Sequence, residues 1–159
     1  KVLKFIDEQF EKWFLIVSLI VMVLVTFIQI VLRWFNAATV WAEEFSRYVM
    51  LYQVWVGASY AVHEDAHIRI TALIGKLSGG RRRGMDLVVL TLWLLFALWL
   101  TVEGCVLVGK IAAMGQVSSA MRIPMTIPYA SVPIGGALMT IRLVQKIVER
   151  LRNTQEEEA

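Results

Sequence analysis

Apolar residues in this chain fall into four long blocks separated by short polar stretches. Residues 14–32 run for 19 positions without a charge, about 28 Å as a helix and close to the hydrocarbon thickness of a bilayer. Residues 48–62 give only 15 positions, so a helix crossing there must begin earlier, near Trp41 or Glu43. Residues 87–109 give 23 positions with one charge, Glu103. Residues 123–141 give 19, interrupted by Pro124, Pro128 and Pro133. Proline is tolerated in a first helical turn, so the last helix is expected to start near Pro128, with a mild kink at Pro133. The pattern predicts an all-α membrane protein of one integral domain. Its four transmembrane helices are expected at about 14–34, 43–63, 86–109 and 128–147.

Two amphipathic pieces lie outside these blocks. Val2, Leu3, Ile6, Phe10, Trp13 and Phe14 recur at helical spacing, with Lys4, Asp7, Glu8, Glu11 and Lys12 on the opposite face. Ile70, Leu73, Ile74 and Leu77 repeat the spacing, and Gly79–Gly80 closes that pattern as a C-cap would. Both are expected to be short interfacial helices, at about 2–12 and 69–78. The tail "NTQEEEA" reads as solvated chain. The first apolar block is too long for a signal-peptide core, and no small-residue cleavage site follows it, so it is expected to remain as a span.

Charge adds orientation. With four spans, twelve of the sixteen Lys and Arg fall on the side holding both termini and the 64–86 segment. The other side holds Arg33, Arg47, Lys110 and Arg122. That bias places both termini in the cytoplasm. Arg81, Arg82 and Arg83 then act as topology anchors beside anionic membrane lipids rather than as a nucleic-acid patch. Composition agrees: 58% of residues are hydrophobic, against about 45–50% in soluble domains. The net charge of +3 matters less than its placement. The single cysteine, Cys105, excludes an intramolecular disulfide and a cysteine metal site.

The polar residues near the non-cytoplasmic ends require an explanation. "WAEEFSRY" opens the second span, and its spacing allows Glu43 to pair with Arg47 at i, i+4 and Glu44 at i, i+3. Arg33 ends the first span. Glu103 sits seven residues before Lys110, about 10 Å deeper. A short acidic side chain cannot reach far, and a charge in hydrocarbon costs about 2.5–3.5 kcal/mol or more. These residues are therefore expected to form an intramembrane polar cluster of Arg33, Trp41, Glu43, Glu44, Arg47 and Glu103, or to meet a partner. Gly57 with Ala61, and Ser131 with Gly135 and Gly136, form small-residue stretches that let helices approach closely. His63 and His67 are the only histidines; i, i+4 spacing could hold zinc, but no third ligand accompanies them. No nucleophile–base–acid set, phosphate loop or cysteine cluster is present, so no enzyme activity is expected.

Read together, four features resemble one family: the four spans, the Trp41-x-Glu43-Glu44-x-x-Arg47 entry, the "HIRI" segment at 67–70, and the "IPMTIPYASVPIGGALM" start of the last span. That family is the small membrane subunit of tripartite ATP-independent periplasmic (TRAP) transporters, of DctQ/SiaQ type. "HIRI" continues with Thr71, where an acidic residue is expected in many relatives. The resemblance implies Na⁺-driven uptake of organic acids, of sialic acid or C4-dicarboxylate type. It also implies a large membrane subunit carrying the substrate and ion sites, and a periplasmic protein delivering the substrate. The small subunit would be a scaffold for the large one, with no cofactor of its own. The competing classes are an autonomous small channel or carrier, and a membrane anchor for a redox enzyme. The first requires transport by this chain alone; the second requires haem, which two i, i+4 histidines do not ligate.

Overall fold

A computed structural model describes residues 2–35, 37, 39–63 and 80–158, with side chains over 10–35, 37, 39–62 and 84–150. The described chain is helical: α1 (Val2–Trp34), α2 (Val40–His63), α3 (Gly80–Met114), α4 (Thr126–Tyr129) and α5 (Ser131–Glu158). Nothing in 2–34 interrupts helical propensity, because glycine and proline are absent there, so the amphipathic N-terminal segment continues into the first span. The 69–78 segment and His67 lie outside the described residues. Gly80 opens α3, which puts Arg81–Arg83 in its first turn rather than in a preceding loop.

Among the described residues, three helices are long and apolar enough to cross a membrane: Phe10–Trp34, Gly84–Met114 and Thr126–Arg150. The second expected span, α2, has 24 residues, or about 36 Å, which is sufficient length. Its Glu43, Glu44, Arg47 and Gln53 keep it less apolar than the other three.

The end of α3 and the start of α5 are set by local chemistry. Gly115, at φ +60°, supplies the left-handed residue that terminates α3. A tight loop follows. The Ser118 N–H donates to the Ile123 carbonyl at 2.9 Å, and the Met125 N–H to the Gln116 carbonyl at 2.9 Å, around a bridge between Val117 and Pro124. Arg122, in the turn, also has positive φ, at 52°. Pro128 falls within α4, and the Ser131 hydroxyl donates to its carbonyl at 2.7 Å. Pro133 lies in the first turn of α5, where its missing N–H breaks no bond of the helix.

The helices stand in a row: α1 against α2, α2 against α5, and α5 against α3. The last helix in sequence is thus central. Its glycines set the spacing. A Cβ on Gly135 would collide with the Trp55 Cβ and come within 3.1 Å of Trp55 backbone atoms on α2. A Cβ on Gly136 would lie 2.6 Å from Thr101 Oγ1 on α3, and one on Gly104 would lie 3.0 Å from Pro133. Below this contact, Val62, Leu90, Ala97, Met139 and Leu143 form the buried core shared by α2, α3 and α5.

Candidate functional site: polar contacts at two ends of the helix row

One polar site lies where α2 begins and α3 ends. The two adjacent glutamates of "WAEEFSRY" project differently. Glu43 pairs with Arg47 at 3.6 Å, with both side chains about 70% exposed. Such a pair contributes little in water. Glu44 turns instead toward the loop after α3. Its Oε1 accepts from the Tyr48 hydroxyl at 2.6 Å, and its Oε2 accepts the N–H groups of Ala120 at 3.0 Å and Met121 at 2.8 Å. A carboxylate bridging two successive amides makes a charge-assisted contact stronger than a neutral one. One turn further, the Tyr48 hydroxyl also meets Met125 Sδ at 3.5 Å. Another turn on, the Tyr52 hydroxyl donates to the Ile127 carbonyl at 2.7 Å. Glu44, Tyr48 and Tyr52, spaced i, i+4, i+8, form one ladder that fastens the 115–127 segment to α2.

The other expected members stand apart. Trp41 is half-exposed beside the buried Ala42, and Arg33 is exposed at the end of α1. Among the described residues no ion pair joins Glu103 to Arg33 or Arg47. Glu103 instead lines a shallow groove with Lys110, Gly104 and Val132, between α3 and the start of α5. Among the packing residues, Gly135 and Gly136 hold the tight contacts just described and Ser131 is 1% exposed. Gly57 meets Leu15 at an ordinary distance, while Ala61 is half-buried.

The second site lies at the opposite end. Glu11 on α1 and Arg142 on α5 pair at 3.3 Å, with side chains 3% and 6% exposed. Ser59 on α2 donates to the same Glu11 oxygen at 3.1 Å, so three helices meet at one carboxylate. Arg142 also donates to Gln145 at 3.2 Å, and Lys146 donates to the Val62 carbonyl at 2.8 Å, at the last turn of α2. A cation there suits the negative end of the helix. Helical spacing alone sets Glu11 on the polar face of the N-terminal segment, and the charge count sets Arg142 among the cytoplasmic-side cations flanking the last span. The structure buries both, because α1 lies against α2 at the turn where α5 arrives. A signal existed: Arg142 lies seven residues after Gly135 and eleven after Ser131, on the packed face of α5.

A third feature is an apolar groove of about 710 Å³ between α1, α2 and the 121–127 segment, lined by Trp13, Phe14, Val17, Phe45, Val49 and Ile123 among others. Among the described residues no group of three or more His, Cys, Asp or Glu could hold a metal ion.

Comparison with known proteins decides what this arrangement belongs to. The family model described as "Tripartite ATP-independent periplasmic transporters, DctQ component" matches residues 22–153. The chain belongs to this family. It is 24% identical over 158 residues to the isethionate TRAP transporter permease protein DctMQ of Oleidesulfovibrio alaskensis, covering 95% of this chain and 25% of that protein. It is 29% identical over 106 residues to the C4-dicarboxylate TRAP transporter small permease protein DctQ of Rhodobacter capsulatus, covering 67% of this chain and 47% of the relative. It is 27% identical over 135 residues to the sialic acid TRAP transporter small permease protein SiaQ of Vibrio cholerae, covering 78% and 71%. The chain thus spans a quarter of the first relative and about half of the second. DctQ-family members are transporter permease subunits rather than enzymes, and they are multi-pass proteins of the bacterial inner membrane.

Proposed function

We propose that this DctQ-family chain is the scaffold subunit of a Na⁺-driven TRAP transporter for organic acids, binding and stabilising a large transport subunit in the membrane. The observation that carries the reading is the single row of helices, pinned at both ends by Glu11–Arg142 and Glu44, with broad apolar faces left outward. Such a layer is suited to holding a partner rather than to enclosing a path. The match to a quarter of a permease named DctMQ supports a larger membrane partner. Relatives named for isethionate, C4-dicarboxylates and sialic acid support an organic acid as substrate. In this reading α2 also crosses the membrane, making four spans, and both termini are cytoplasmic. Trp41, Glu43 and Arg47 brace the assembly at the Glu44 end, the Na⁺ site belongs to the large subunit, and a periplasmic binding protein delivers the substrate.

Reconstitution tests the function. Proteoliposomes holding this chain, the large subunit and the binding protein should take up labelled sialic acid or a C4-dicarboxylate on an inward Na⁺ gradient. Omitting this chain should abolish uptake, and this chain alone should transport nothing. Transport by the chain alone would instead make it an autonomous carrier. A reporter fused after Ala159 should be active only in the cytoplasm, which checks the topology.

A further inference from the structure

The two sides of α3 carry different stripes. Toward α5 it presents Leu90, Ala97, Thr101, Gly104 and Ile111, each at least half-buried. The opposite side carries Val88, Leu92, Leu95, Trp99, Val102 and Val106, at alternating intervals of four and three and between 46% and 61% exposed. That is the spacing of a heptad seam, the geometry by which most membrane helices pack. A stripe of this kind would face lipid without difficulty. Glu103 would not.

Glu103 immediately follows Val102, flanking the seam, and Lys110 follows one heptad later. A 30 Å hydrocarbon layer centred on α3 covers roughly residues 87–107, which places Glu103 inside it and Lys110 beyond it. Glu103 is exposed, and among the described residues it has no hydrogen bond or ion pair. Ionisable side chains at such depth almost always face protein or a water-filled cavity, and among the described residues this one meets no polar partner. It lines, with Trp99, Leu107 and Lys110, a groove of about 280 Å³ whose far wall is Val132 of α5.

A second copy of the chain is a poor occupant. Copies inserted in the same orientation meet about an axis along the membrane normal, so the same seam would set Glu103 against Glu103 at equal depth. Like charges juxtaposed in hydrocarbon oppose that pairing. The occupant must bring a donor.

We propose that the outward seam of α3, centred on Trp99, Glu103 and Val106, docks one transmembrane helix of the large permease subunit, and that this helix presents a cationic or hydrogen-bond-donating side chain to Glu103. The proposal rests on the scaffold reading above and names the surface that performs it. Lys110 at the next flanking position calls for an acidic or amide residue about two turns along the same helix.

The test uses the chain co-expressed with the large subunit in membranes. A tag on the wild-type chain should copurify the large subunit. Glu103→Lys should lower the recovered large subunit at least about tenfold, while Glu103→Gln, which still accepts a hydrogen bond, should lower it by less than about threefold. A photo-crosslinking benzoylphenylalanine at Val106, with Glu103 intact, should label the large subunit, which decides the matter even where Glu103→Lys does not fold. Labelling of only a second copy, or of no protein, while copurification persists would overturn the docking surface and leave the scaffold reading standing. Loss of copurification by the wild-type chain would overturn both.

Discussion

Each end of the helix row is held by a glutamate, but the two carboxylates act on different kinds of partner. Glu11 is buried and closes on side chains: the guanidinium of Arg142 and the hydroxyl of Ser59, from two other helices. Glu44 closes mainly on backbone, the amides of Ala120 and Met121. A buried pair of side chains fixes which helices meet, because either partner alone is an uncompensated charge. A carboxylate on two amides fixes the course of a loop, whatever that loop's sequence. The first end therefore determines packing, and the second determines where α3 hands over to α5. A third carboxylate, Glu43, is next to Glu44 in sequence yet joins only Arg47 in the open.

Six variants can break or sharpen this contrast. The largest effect is expected from Arg142→Ala, which strands Glu11 in the packed interior and should cost about 3–5 kcal/mol, read from thermal unfolding of the purified chain. The double variant Glu11→Leu with Arg142→Met should recover most of that loss; equal damage from both would show that the pair does not organise this end. Next, Gly135→Ala drives a methyl group into Trp55 and should destabilise by about 1–3 kcal/mol in the same assay. Gly109→Ala, with nothing within 4 Å, should not destabilise at all. At the Glu44 end, Glu44→Ala should leave overall unfolding nearly unchanged but speed amide exchange at Ala120 and Met121 roughly tenfold, as a lost bond to a charged acceptor requires. Slow exchange at both amides in that variant would mean that the loop holds itself. Smallest is Glu43→Ala, which should shift stability by no more than about 0.5 kcal/mol, since its pair with Arg47 is solvated.

Much of this was legible from spacing, and the remainder was not for identifiable reasons. The apolar blocks located α1, α3 and α5, and glycine and proline marked the α3–α5 connection. "WAEEFSRY" was visible as a cluster, but periodicity could not say which glutamate turns inward. That choice depends on the 115–125 loop, whose amides carry no signature in their side chains. Arg142 looked like one more basic residue at the end of a span. Its role depends on which helix neighbours α5, and a row has many possible orders that the same four patterns would satisfy. Glu103 was expected to need a partner at its depth. Arg33 and Arg47 were the cations available in the chain, and neither reaches it.

The central place of α5 has a consequence for how the protein is made. The segment 126–158 leaves the ribosome after α1, α2 and α3, yet it packs against both α2 and α3. Until it is inserted, α3 is tied to α2 through the contacts of Glu44 and Tyr48 with the loop at 120–125, and the Trp55 and Thr101 surfaces stay uncovered. A chain shortened before Ser131 would also lack the arginine that meets Glu11, and α2 and α3 would be joined at the Glu44 end alone. Insertion of α5 is thus the step that joins these membrane segments along their length.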